Sequence, residues 1–89
     1  MKKAISIRVH GKVQNVGFRY YTVKAAAQFM VHGFVKNEPD GTVYIEAEGE
    51  AADIDTFADW CRRGPDWARV DSLHIQEIPV SGHRSFLIK

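Results

Sequence analysis

The sequence is poor in cysteine, in net charge and in uninterrupted apolar stretches, and each shortage removes a class of function. The single cysteine, Cys61, cannot form an intramolecular disulfide, so nothing here requires an oxidising compartment. It falls inside a helical apolar pattern and reads as a core thiol. Twelve basic residues against eleven acidic ones leave a net charge of +1, too little for a global field that would draw the protein to nucleic acid or to an anionic membrane. The N-terminus, Met1-Lys2-Lys3-Ala4-Ile5-Ser6, is basic, but the segment that follows is broken by Arg8 and His10 and has no apolar h-region. A cytoplasmic location is the expectation. His10, His32, His74 and His83 show no ligand spacing with one another or with Cys61, which speaks against a zinc or copper site, and no metal or cofactor is expected. There is no internal repeat and no low-complexity tract.

What is present fits one folded unit. A chain of 89 residues suffices for a single domain, 1–89, with one core, and 45% hydrophobic with 26% charged residues is ordinary for a domain that folds unaided. Ile5, Ile7 and Val9 alternate with Ser6, Arg8 and His10, the period-two pattern of a strand with one buried face. Tyr20, Val23, Ala26, Ala27 and Met30 recur at helical spacing and predict a helix from about Arg19 to Val31, stopped by His32-Gly33. Phe34 to Asn37 forms a second strand, and Glu38-Pro39-Asp40-Gly41 turns it back into a third, with Val43, Ile45 and Ala47 on one face. Ile54, Phe57, Ala58 and Cys61 mark a second helix from about Ala51 to Arg63, closed by Gly64-Pro65. A strand from about Val70 to Ile78 and a short one at Phe86 and Ile88 complete the chain. The order βαββαβ plus a short terminal strand predicts an α+β, ferredoxin-like split βαβ sandwich, an antiparallel sheet with two helices on one face.

One segment stands apart chemically. Gly11-Lys12-Val13-Gln14-Asn15-Val16-Gly17-Phe18-Arg19 joins the first strand to the first helix. Backbone N–H groups at the mouth of a helix carry partial positive charge, and an arginine there adds a planar fork suited to phosphate. The plain alternative is a strand-to-helix turn whose glycines only relieve backbone strain. Arg19 argues against it, because a cation at a helix N-terminus opposes the dipole unless an anion lies between them. Gln14 by itself reads as a solvated loop side chain, and Asn37 as a turn cap ahead of Glu38-Pro39.

Gly11-Lys12-Val13-Gln14 with Val16-Gly17-Phe18-Arg19, and Gly33-Phe34-Val35-Lys36-Asn37 followed by Gly41-Thr42-Val43 and Gly49, resemble the paired signatures of the acylphosphatase family. The resemblance runs on through Gly64-Pro65, Ala68-Arg69-Val70 and Ser85-Phe86-Leu87-Ile88. It implies an enzyme that hydrolyses the carboxyl-phosphate bond of small acyl phosphates without metal or cofactor. Carried over by position, Gln14, Asn15, Val16, Gly17, Phe18 and Arg19 would bind the phosphoryl group and Asn37 would orient the attacking water. Inorganic phosphate or sulfate would compete. The family's loop usually has glycine where this chain has Asn15. Asparagine tolerates left-handed backbone angles, so the cradle can keep its shape, while the side chain either crowds the phosphate or donates to it.

The short parts inventory agrees with such a substrate. An acyl phosphate expels a carboxylate, with pKa about 4 by analogy with side-chain carboxyls, so no general acid or Lewis acid is needed for the leaving group. Positioning, charge neutralisation and an aimed water remain, and a backbone nest, one arginine and one carboxamide can supply them. Two other readings stand beside this one. A noncatalytic phosphate or acyl-phosphate binding module is kept open by Asn15. An RNA-recognition module shares the element order, but Glu46 and Glu48 beside Tyr44 would repel a phosphate backbone. Glu46, Glu48, Glu50, Asp53, Asp55 and Asp59 read as a solvated edge and helix face, His74 as half-exposed, and Trp60 and Trp67 as packing residues.

Overall fold

Alternation places Ile5, Ile7 and Val9 of strand β1 (Lys2–Lys12) in the core, and their counterparts Val43, Ile45 and Ala47 of β3 (Val43–Glu50) lie beside them in register. The computed structural model describes residues 1–89. β2 (His32–Asn37) pairs with β3, and β4 (Arg69–Ile78) pairs with the free side of β1, all antiparallel. β5 (Phe86–Ile88) completes the sheet in the order β4-β1-β3-β2-β5. Helices α1 (Phe18–Gln28) and α2 (Ala51–Arg63) cover one face, burying Phe18, Ala25 and Ala26 from the first and Ile54, Phe57, Ala58 and Cys61 from the second. Burial raises the thiol pKa of Cys61, as expected of a core cysteine.

The sheet is mixed rather than wholly antiparallel, because β5 runs parallel to β2. The reason is topological. β4 and β5 occupy opposite edges, and the chain between them crosses along the end of the sheet where β4 finishes and β2 begins, so β5 must set off in the direction of β2. Glu48 pins that crossing. Its side chain points away from the helices, where a solvated glutamate was expected, yet it is buried and accepts N–H bonds from Ser81, Gly82 and His83 at 3.0, 3.0 and 2.9 Å. Burial alone would raise its pKa, but the three amide donors outweigh burial and hold the carboxyl below its ordinary 4.5.

Other expectations shift by a turn. α1 stops at Gln28, before the predicted Val31, and Met30 takes φ 59° while Val31 N–H donates to Ala26 O and Met30 N–H to Ala27 O. That is a Schellman cap built on methionine instead of the usual glycine. Val31 is thereby released from the helix into the core, and β2 starts at His32. His74 is exposed rather than half-exposed, since β4 is an edge strand. Trp60 does pack, with ring centroids 5.8 Å from Phe18 and 6.4 Å from Phe57, but Trp67 is 78% exposed.

Glu48→Gln should lower stability by about 1.5 kcal/mol at pH 7, the scale of charge-assisted hydrogen bonds lost to a neutral acceptor. Because the folded pKa lies below 4.5, this contribution is complete above that pH and fades as pH falls through the folded value. Thermal melts of both proteins from pH 7 to pH 2.5 should therefore show a gap that closes in acid.

Candidate active site

The β1–α1 connection reverses the chain in five residues and does so through two left-handed ones, Asn15 with φ 61° and Gly17 with φ 78°. Gly17 is the N-cap of α1 and offers no side-chain oxygen to the helix. The first bond of the helix runs from Tyr21 N–H to Gly17 O at 3.0 Å, and the amides of residues 14 to 17 donate to no backbone carbonyl. Together with the orphan amides of the first helical turn they form a concave set of donors at the positive end of α1. Just before it, Gly11 sits at a bulge against β4, where a Cβ would overlap the Arg69 carbonyl oxygen.

A cavity of about 210 Å3 opens over this loop, lined by Asn15, Gly17, Arg19, Asn37 and the apolar Val13, Phe18, Tyr20 and Ile88. At roughly 30 Å3 per water it is ample for a phosphoryl group and a water. No acidic side chain lines it, and Arg19 joins none of the ion pairs of the chain. Asn37, at the end of β2, faces the same space, and its Oδ1 is buried with no donor in the protein. The structure thus brings Arg19 and Asn37 to one cavity, which spacing alone could not establish. Phe18 is buried in the core and Val16 packs partly against it. The Asn15 side chain is exposed at the cavity and makes no hydrogen bond within the protein.

Gln14 is different from its bland sequence reading. Its side-chain amide donates to Glu38 O at 2.8 Å and Thr42 O at 2.9 Å, clamping the β2–β3 turn to the loop. That turn is closed by Glu38 N–H to Thr42 O and by Asp40 Oδ1, which accepts from the hydroxyl and the amide of Thr42. Those two bonds, the side-chain one first, lower the pKa of Asp40 below its ordinary 3.8. Asn37 immediately precedes the clamped turn, so the Gln14 amide fixes the distance between the amide cradle and the carboxamide. Ile88 arrives from β5, and no local signal in the sequence could have placed it there.

The family model described as acylphosphatase matches residues 5–88. The chain belongs to the acylphosphatase family. It is 53% identical over 78 residues to the acylphosphatase of Mannheimia succiniciproducens, covering 88% of this chain and 84% of that one. With the acylphosphatase of Nocardioides sp. it shares 39% identity over 89 residues, 100% of this chain and 90% of the relative. The crystal structure of acylphosphatase from Bacillus subtilis superposes with a TM-score of 0.95 at 34% identity, covering 100% of this chain and 99% of that one. The ferredoxin-like sandwich is accordingly the acylphosphatase fold, and the membership makes this chain an acyl-phosphate hydrolase.

Removing the clamp with Gln14→Ala should cost about 2 kcal/mol, two hydrogen bonds at about 1 kcal/mol each, measurable by urea denaturation. At position 15 the backbone conformation decides the outcome. Asn15→Gly should leave stability within about 0.5 kcal/mol, whereas Asn15→Ala should cost about 1 kcal/mol more than the glycine variant, the scale of a Cβ penalty in a left-handed residue. Equal melting curves for the two variants would contradict that conformation.

Proposed function

We propose that the amides of residues 14 to 19 and the guanidinium of Arg19 hold the phosphoryl group of an acyl phosphate, while Asn37 aims a water at phosphorus with no metal required. The observation that carries this reading is the convergence of a free arginine, unpaired loop amides and the Asn37 side chain on one cavity without a carboxylate. Two roles follow from the chemistry. The amide donors and Arg19 neutralise the equatorial oxygens, whose charge persists through a loose transition state. The Asn37 carboxamide hydrogen-bonds the water and turns a lone pair of the water oxygen toward phosphorus. The P–O bond to the acyl group breaks, its electron pair leaves on a carboxylate, and the proton lost by the attacking water passes to phosphate or solvent. No acid is needed for a leaving group with pKa about 4. Inorganic phosphate, as product, occupies the same cradle, and sulfate imitates it.

Arg19 meets phosphate in ground and transition states alike, whereas Asn37 matters when water attacks. Hydrolysis of acetyl or benzoyl phosphate should therefore persist in excess EDTA. Arg19→Ala should lose both binding and turnover, and Asn37→Ala should lower kcat about a hundredfold with KM little changed, the usual scale for one lost positioning group. A normal kcat in Asn37→Ala would remove that residue from the mechanism, and release at the buffer rate in the unmodified protein with EDTA would remove the reading in favour of a phosphate-binding module. In either case phosphate should raise Tm if the cradle is formed without ligand.

A further inference from the structure

We infer that the acyl half of the substrate lies in a second hollow, between α1 and the α2–β4 connection, and that this hollow favours flat aromatic acyl groups. The inference rests on the proposed seat of the phosphoryl group. In-line displacement puts the attacking water and the leaving oxygen on opposite sides of phosphorus. The sheet order sets those sides. β2, carrying Asn37, lies to one side of β1 with β3 between them, while β4 lies directly on the other, where Arg69 pairs with Lys12 and brings residues 64 to 68 beside the loop. Water held at Asn37 therefore directs the carboxylate toward that connection.

A cleft of about 340 Å3 opens there, with Tyr21, Lys24, Trp60, Pro65, Asp66 and Trp67 among its walls. Tyr21 is its wall on the side of the phosphate loop. Tyr21 stands one helical turn beyond Gly17, and a Cβ on Gly17 would meet its ring at 3.4 Å. The faces of Trp60 are engaged by Phe18 and Phe57, but Trp67, 78% exposed, is free to cover a planar group. Lys24, whose Nζ lies 5.2 Å from the Tyr20 ring centroid, brings positive charge to the side on which the carboxylate is released. With Lys24 balanced by Asp66, the exposed rings set the preference, and they suit a benzoyl-type group better than an acetyl group, which is too small to span them.

The test compares kcat/KM for benzoyl and acetyl phosphate, with binding of the non-hydrolysable benzoylphosphonate followed by calorimetry. Because Trp67 lies outside the core, Trp67→Ala should fold normally. It should cut the benzoyl-to-acetyl ratio by about tenfold, the scale of one lost aromatic contact. It should also weaken benzoylphosphonate in parallel and leave acetyl phosphate unchanged, while Trp67→Phe restores most of the preference. An unchanged ratio in Trp67→Ala, or a ratio that collapses in Ile88→Ala because the acyl group lies on the Asn37 side, overturns the inference. Failure of the proposed chemistry looks different. Neither substrate would then turn over in the unmodified protein, and an effect of Trp67→Ala on the phosphonate Kd would still decide the cleft, its absence overturning the inference.

Discussion

The site depends on one side-chain amide. Gln14 leaves the phosphate loop, reaches a turn 24 residues further along, and donates to two of its carbonyls at once. Two neutral hydrogen bonds are modest in energy, about 1 kcal/mol each. Their value is geometric, since the role proposed for Asn37 tolerates little displacement from the amide cradle. Loop and turn lie at the same end of the sheet, one leaving β1 and the other joining β2 to β3, and sheet pairing sets only their approximate separation. The turn is itself prestressed toward one conformation by Asp40, Thr42 and the charges of Arg8 and Lys36 around Glu38.

The loop meets a second demand, which is to present several amides to one point while reversing direction. Left-handed residues alternating with Val16 do this, because each change of hand flips a peptide plane relative to its neighbour and turns N–H groups to the concave side. Gly17 meets the requirement without strain, and Asn15 meets it as one of the few residues with a Cβ that can. Polar side chains are scarce because the main chain supplies the donors, while Val16 and Phe18 anchor the loop from behind. An acyl phosphate asks for no more than this, as its leaving group is stable unprotonated.

Much of the architecture was legible. Strand β1, the β2–β3 hairpin and α2 follow from period two, from Pro39-Asp40-Gly41 and from period 3.6, because in each the buried face is contiguous in sequence. The misread stretches are those where a distant segment changes the environment. Glu48 alternates outward and would be solvated were the chain after β4 not laid across it. Val31 continues the helical period of α1, yet it leaves the helix because Met30 accepts a left-handed cap and the core has room for Val31. β5 is too short for its direction to be read locally, and the route of the preceding crossing imposes it.

For the site, the kinds of residue were in the sequence and their relations were not. The glycine-flanked loop ending in Arg19, the tolerance of Asn15 for a left-handed turn, the Asn37 strand end and the resemblance carried by both motifs could all be read from residue order, since backbone permission and motif spacing are local. Which face Asn37 presents, that Gln14 serves the turn, that Ile88 joins the cavity and that Trp67 stands free beside a cleft were decided by tertiary structure alone. Each depends on strands paired across the sheet order β4-β1-β3-β2-β5, and pairing brings together residues whose separation in sequence carries no trace of their distance in space.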